Sequence, residues 1–303
     1  MKTRSLLRVS LLPLAALWLT ASAASAAPTA ATRSCHLPGA VDALRCVSID
    51  VPLDHAKPEG EKLKLHVTVA PAHRAGTRGD PLFVLAGGPG EAGSDVVGVL
   101  STAFSRVRAT RDIVFIDQRG TGRSGKLDCK NKPEHEQMTE DQLEAELVAC
   151  IGATKASWGA YTTEAAARDT ELVRRALGYG AVNVFGGSYG TRLGQVYARL
   201  YPSSVRSLIL DGVAAPDQVI PAAAKDAQAA LEKLFAQCEK DAGCKKAFPQ
   251  LRAEYDGLVA KLEAGPIKLS MPDPRTAQPI TPTMTSAGFP RPLHNILYPP
   301  APA

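Results

Sequence analysis

Apolar and polar residues alternate through Lys62–Ala70, with Leu63, Leu65, Val67 and Val69 on one side and Lys62, Lys64, His66 and Thr68 on the other. A period of two is that of a strand with one face buried, and the pattern suits the edge of a sheet. Four other segments, Leu82–Ala86, Ile113–Ile116, Val182–Phe185 and Leu208–Leu210, are short uninterrupted apolar runs. Such runs predict strands covered on both faces by helices, and strands of that kind are usually parallel.

Between the runs lie segments of helical period, Asp95–Val107, Glu164–Leu177 and Thr191–Leu200. Thr162 or Thr163 caps the second of these, and Gly178 and Gly180 supply its stop. The alternation of strand and helix predicts an α/β architecture with a doubly wound, mostly parallel sheet. No internal repeat is visible. Beyond Pro221 the pattern changes: Ala222–Lys240 and Leu251–Leu262 read as helices with no further strong strand, a partial helical cap after a sheet strand. The stretch after Gly265 is rich in Pro and Thr, and 298–303 has no pattern that packs. The expected division is 1–27 as a signal peptide, 28–216 as the core, and 217–303 as the partial cap with an irregular tail.

Composition and charge place the chain in a compartment. Lys2, Arg4 and Arg8 precede an apolar stretch, Val9–Leu19, and then small residues, Ala21–Ala27. This is the layout of a secretory signal peptide, with cleavage near Ala26 or Ala27. A membrane anchor is the alternative, but the stretch is well short of the ~20 apolar residues a span needs. The expectation is an exported, periplasmic or secreted protein with no stable membrane anchor after cleavage. The formal charge of +5 includes those three cations. The remainder is spread without long runs of one sign, so nothing points to nucleic acid.

Six cysteines in an exported chain favour disulfides, because that environment is oxidising and no metal-type spacing is present. They fall as three local couples, Cys35 with Cys46, Cys129 with Cys150, and Cys238 with Cys244; buried free thiols are the alternative. His36, His55, His66, His73 and His135 also match no metal spacing. Neither a metal nor a cofactor is expected.

The chemistry is carried by Gly186-Gly187-Ser188-Tyr189-Gly190, a G-x-S-x-G motif set between a buried run and a helical segment. On such a strand-to-helix turn the serine hydroxyl projects clear of the sheet, and small neighbours let strand and helix approach. Ser188 is the candidate nucleophile, with Gly186, Gly187 and Gly190 shaping the elbow. Acyl transfer also needs donors for an oxyanion. The candidates are the Tyr189 N–H and the loop Ala86-Gly87-Gly88-Pro89-Gly90, through Gly87 and Gly88. A phosphate-binding turn is the alternative for that loop, but no accompanying nucleotide motif is present.

Four stretches appear in order: AGGPG at Ala86–Gly90, DQRGTGRS at Asp117–Ser124, GGSYGTRLGQVYARLYP at Gly186–Pro202 and ILDGV at Ile209–Val213. Together, over about Cys35 to Gly265, they resemble the secreted tripeptidyl aminopeptidase and proline iminopeptidase branch of the α/β hydrolases. The resemblance implies a serine peptidase acting on N-terminal peptide bonds through an acyl-serine, with a peptide or small ester as substrate. Ala86 stands where that family commonly has His. In the fold, an acid and then a histidine follow the nucleophile, and here the only later histidine is His294. The resemblance makes Leu293–Tyr298 a cap-helix segment, so His294 is not expected to serve as base. Asp211 and Asp217 come too early and read as turn residues. The sheet is therefore expected to lack its C-terminal strands. The alternatives to an active enzyme are a truncated, inactive remnant and a peptide-binding pseudoenzyme.

Three other charged residues have two readings each. Glu91 reads as a solvated turn carboxylate, with the holding of a substrate amine as the alternative. Arg119 and Arg123 read as braces of their own loop rather than as carboxylate binders.

Overall fold

A computed structural model describes residues 30–74, 79–130, 132, 135, 138, 140–218, 223–273 and 276–297. The expected signal peptide and the 298–303 tail lie outside the described residues. The main sheet contains β1 (Arg33–Cys35), β2 (Leu44–Pro52), β3 (Lys62–Ala70), β4 (Leu82–Leu85), β5 (Ile113–Ile116), β6 (Val182–Gly187) and β7 (Val205–Asp211). Their spatial order is β1-β2-β3-β5-β4-β6-β7. The four strands β5, β4, β6 and β7 are mutually parallel, and β3 runs antiparallel to both β5 and β2. The sheet is thus mostly parallel, as the apolar runs predicted.

The core follows from those runs. Every residue of β4 and β5 is buried, and Phe83, Val114, Val184, Leu193 and Tyr197 close one face of the sheet as a single cluster. Helix α3 (Thr163–Ala176) is capped by the Thr162 hydroxyl, which accepts from the Ala165 N–H at 3.2 Å. Helix α4 (Tyr189–Leu200) follows β6 directly.

Three expectations are corrected, and one helix was not foreseen. Strand β3 is interior, because β2, itself alternating through Val47, Ile49 and Val51, pairs with it from Lys62 to Val69. Strand β7 is not covered on both faces: Leu208 and Leu210 pack toward Gly194 of α4, while Ile209 on the other side is 48 % exposed. The segment expected as one helix over 95–107 is a 3-10 helix, Gly93–Ser101, followed by a single turn, α1 (Ser105–Arg108). Val96, Val97, Gly98 and Val99 are poor α-formers. A methyl on Gly93 would also lie 2.6 Å from the Ile116 carbonyl oxygen, so the segment is pressed against β5. An unexpected helix, α2 (Glu140–Ala153), carries Cys150.

After β7 come α5 (Ala223–Lys240), α6 (Ala242–Ala247), α7 (Leu251–Ala264) and α8 (Pro290–Leu297). The turn between α5 and α6 is made by Asp241, whose carboxylate accepts from the Cys244 N–H at 2.7 Å. All three expected disulfides form, with Cα separations of 5.8 Å for Cys35–Cys46, 6.0 Å for Cys129–Cys150 and 5.1 Å for Cys238–Cys244. Among the described residues no helix is long and apolar enough to cross a membrane.

Candidate active site

The turn from β6 into α4 rests on two close approaches. A methyl on Gly186 would lie 2.3 Å from the Gly190 carbonyl oxygen, and one on Gly190 would lie 2.0 Å from the Leu85 carbonyl oxygen. Both distances are impossible for a real Cβ, so strand and helix meet here only because these residues lack one. Gly187 differs, because the nearest atom to a methyl there is in the Phe185 ring at 3.8 Å, an ordinary contact. Two of the three expected elbow glycines are sterically required.

Ser188 has φ 50° and ψ −119°, a backbone state that costs a non-glycine residue of order 1–3 kcal/mol. The surroundings hold it there. Its N–H donates to the Asp211 carbonyl oxygen at the end of β7, at 2.8 Å, and its carbonyl accepts from the Thr191 N–H at 2.9 Å. Its side chain makes no capping bond to α4 and is exposed at the C-terminal rim of the parallel strands, where ligands of open α/β sheets bind.

The loop after β4 faces this serine. A methyl on Gly87 would meet the Ser188 Cβ at 3.3 Å, the Gly187 carbonyl oxygen at 3.4 Å and Glu91 Oε2 at 3.4 Å. Gly88 has φ +97°, and a Cβ there would lie 2.6 Å from the Gly90 nitrogen, so glycine is required at 88 on both counts. The Gly87 N–H donates to Glu91 Oε2 at 3.0 Å. It is therefore not the open donor that the sequence suggested. The N–H groups of Gly88 and Tyr189 make no hydrogen bond among the described residues. The Tyr189 hydroxyl meets the Thr163 hydroxyl of α3 at 2.9 Å.

Behind the loop, the segment 117–124 is a brace. The fully buried Asp117 carboxylate accepts from the Ser94 N–H at 2.7 Å, the Ser94 hydroxyl at 2.9 Å and the Arg123 N–H at 2.9 Å. The Gln118 amide donates to the Ala86 carbonyl oxygen at 3.3 Å and so ties down the start of the facing loop. Arg119 donates two bonds to Asp169, at 2.7 and 2.6 Å, and others to the Leu53 and Ala160 carbonyls at 2.9 and 2.7 Å. Arg119 was expected to brace its own loop; instead it ties that loop to α3 and to the backbone at 52–53 and 160. Asp169 was not foreseen, although a carboxylate on the buried face of α3 beside Ala166, Thr170 and Val173 is itself a signal of a paired charge.

Among the described residues no base is in place on the Ser188 hydroxyl. His55 lies 2.9 Å from the Asp169 carboxylate and belongs to the Arg119 cluster. His294 lies on α8, which packs against α5. Asp211 and Asp217 are exposed at and after the end of β7. Among the described residues no histidine or carboxylate is hydrogen-bonded to the Ser188 hydroxyl. A cavity of about 860 Å³ opens between the 53–61 hairpin and Trp158–Arg168, and Ser188 is not part of its wall.

The model of the alpha/beta hydrolase fold family matches residues 80–247, which include β4 to β7, the elbow and the facing loop. The chain belongs to the α/β-hydrolase fold family. It is 30% identical over 221 residues to serine protease Hip1 of Mycobacterium tuberculosis, covering 66% of this chain and 42% of that protein. It is 30% identical over 196 residues to a tripeptidyl aminopeptidase of Streptomyces coelicolor, covering 58% of this chain and 36% of that protein. A proline iminopeptidase of Neisseria gonorrhoeae is 35% identical over 136 residues, covering 45% of this chain and 33% of its own length. The solved structure of a proline iminopeptidase from Mycobacterium smegmatis aligns over 75% of this chain and 64% of that one, at 22% identity and a TM-score of 0.42. The chain thus spans less than half the length of the curated relatives it matches. The names of these relatives include the two peptidase types that the motifs resemble, tripeptidyl aminopeptidase and proline iminopeptidase.

Proposed function

We propose that this chain carries the nucleophile and oxyanion half of an exported serine peptidase that cuts near the N-terminus of peptides through an acyl-Ser188 intermediate. The observation that carries the reading is the exposed Ser188 on a strained turn, in contact with a loop of glycines held by residues 117–124. In this reading the Ser188 oxygen attacks the scissile carbonyl carbon and gives up its proton to a base. The carbonyl oxygen, now negative, is received by the Gly88 and Tyr189 N–H groups. Donors of this kind are typically worth ~3–4 kcal/mol each, and the Tyr189 N–H adds the positive end of the α4 dipole. The amine leaves with a proton, and water then releases the acyl group. The preference for peptides rests on the names of the relatives. Export is supported by the three disulfides, which persist in oxidising compartments.

A second reading, peptide binding without turnover, is favoured by the absence of a base on Ser188 among the described residues. One experiment separates the two. The chain, prepared with its disulfides formed, is treated with a fluorophosphonate and assayed on peptide amides with a free N-terminus and on p-nitrophenyl esters, beside Ser188→Ala. Labelling that disappears in Ser188→Ala is expected, with turnover at no more than the residual ~10³–10⁴-fold that oxyanion donors and binding supply alone. Turnover of several per second, lost in Ser188→Ala, would reject the binding-only reading. No labelling would reject Ser188 as nucleophile.

A further inference from the structure

Glu91 is a charged side chain that the structure puts beside Gly87 of the facing loop and, through it, near the serine turn. Its Oε2 and the Ser188 Cβ lie 3.4 Å and 3.3 Å from the same point, the place a Gly87 methyl would occupy. The carboxylate oxygen and the serine Cβ therefore both border one methyl-sized space beside Gly87. The carboxylate is also aimed: the Gly87 N–H holds Oε2 at 3.0 Å while the side chain stays exposed. A carboxylate so fixed has its second oxygen and remaining lone pairs free for another donor. Asp211, the register partner of Gly187, adds a second exposed carboxylate on the same rim.

Resting on the reading of Ser188 as nucleophile, we propose that Glu91 anchors the free α-ammonium of the residue whose carbonyl Ser188 attacks, so that the site takes substrates with one residue before the scissile bond. The argument is one of length. In an amino-acid residue the nitrogen and the carbonyl carbon are two bonds apart, about 2.5 Å. With the carbonyl carbon at the Ser188 oxygen, a nitrogen about 2.5 Å away stays beside the same methyl-sized space that the Glu91 carboxylate borders. The free ammonium of a tripeptide lies two residues further, roughly 9 Å from the scissile carbon when extended, and overshoots Glu91. Charge matters as well as distance, since an ammonium–carboxylate hydrogen bond is about twice as strong as a neutral one. An N-acylated residue brings no positive charge and leaves the carboxylate unpaired.

The test uses α-aminoboronic acids, whose boron accepts the Ser188 oxygen to form a tetrahedral anion while the serine proton passes to solvent. Affinities are measured for a single-residue boronate with a free amine, for its N-acetyl form, and for a tripeptidyl boronate with a free N-terminus. They are measured on the full chain and on Glu91→Gln, which keeps an oxygen acceptor for the Gly87 N–H but removes the charge. The free-amine single-residue boronate is expected to bind the unmodified chain at least tenfold more tightly than the N-acetyl form, and that ratio should fall to near one in Glu91→Gln. The tripeptidyl boronate should be insensitive to the substitution. The proposal is overturned by equal binding of the free and acetylated forms, by no binding of either, or by a preference that survives Glu91→Gln. Tighter binding of both forms to Glu91→Gln also overturns it, since the carboxylate would then be blocking a donor. Fluorophosphonate labelling run in parallel reports on Ser188 independently: intact labelling with no amine preference rejects the anchor alone, and lost labelling rejects the nucleophile.

Discussion

The sheet half and the helical segment after β7 are held together in different ways. In the sheet, β4 and β5 are buried at every residue, and charges that enter the interior are paired, as Arg119 is with Asp169. After residue 217, the buried apolar side chains among the described residues are Leu231, Cys238 and Leu262. What joins those helices is the Cys238–Cys244 bridge and a line of rings, Phe235 to Tyr255 at 5.4 Å and Tyr255 to Phe289 at 6.1 Å, with the Arg252 guanidinium over Phe235 at 4.8 Å. The first region resists change because its central strands β4 and β5 have neighbours on both faces. The second tolerates change because much of its surface already faces solvent. The turn that carries Ser188 belongs to the first region, which is why a strained serine persists there.

The largest expected effect comes from breaking the sheet half at its tightest point. Gly190→Ala puts a methyl 2.0 Å from the Leu85 carbonyl oxygen, and the cost is expected to exceed ~4 kcal/mol, the range of overpacked or strained sites. Urea denaturation, or failure to recover soluble chain, measures it. Gly187→Ala, whose methyl meets nothing closer than 3.8 Å, is the control and should cost less than about 1 kcal/mol. Equal effects at the two positions would mean that the close approach of strand and helix is not what shapes the elbow.

An intermediate effect is expected at Glu171, the buried carboxylate of α3. It accepts from Arg174 at 2.8 and 2.7 Å, from Arg175 at 2.7 Å and from the Tyr197 hydroxyl at 3.1 Å. Burial alone would raise its pKa. The hydrogen bonds from Arg174, Arg175 and Tyr197 and the Arg174 charge together outweigh that, and hold it down at about 2. A carboxyl that is more acidic folded than unfolded stabilises the fold above its unfolded pKa near 4.5. That contribution is lost as pH falls from there through about 2. Glu171→Gln should cost about 2 kcal/mol near neutrality, the scale of hydrogen bonds to a charged group, and should flatten the acid side of the stability profile. Thermal unfolding of both proteins between pH 7 and strong acid checks the sign, since a mutant penalty that grows on acidification would refute it.

The smallest effect on the sheet is expected from the helices after β7. Replacing Cys238 and Cys244 together by serine opens a loop of sequence separation 6, for which chain entropy predicts a loss of about 2 kcal/mol. The loss should be confined to α5–α7. Hydrogen exchange is expected to speed up across 223–264 and to stay unchanged in β4–β6. Faster exchange in β4–β6 would show that the two regions unfold as one.

Local pattern was enough for much of the molecule. Uninterrupted apolar runs determined β4, β5 and the start of β6, because a strand buried on both faces has no polar position to interrupt it. The cap at Thr162, the elbow of Gly186, Ser188 and Gly190, and the three disulfides were legible for the same reason: each joins residues close in sequence, whose spacing carries the geometry. Other features were decided by partners distant in the chain. Lys62–Ala70 reads as an edge until β2 pairs along it, and 95–107 reads as a helix until Gly93 is pressed under the backbone of β5. Asp169 becomes the counter-ion of Arg119 only when α3 is laid against the sheet, 50 positions along the chain. Glu91 shows why even a short range can require the fold. The bond from Gly87 spans only four positions of one loop, but the serine near it arrives from the end of β6, set beside β4 by strand pairing. Periodicity records which face of an element is buried. What lies against that face is fixed only when the strands are ordered in space.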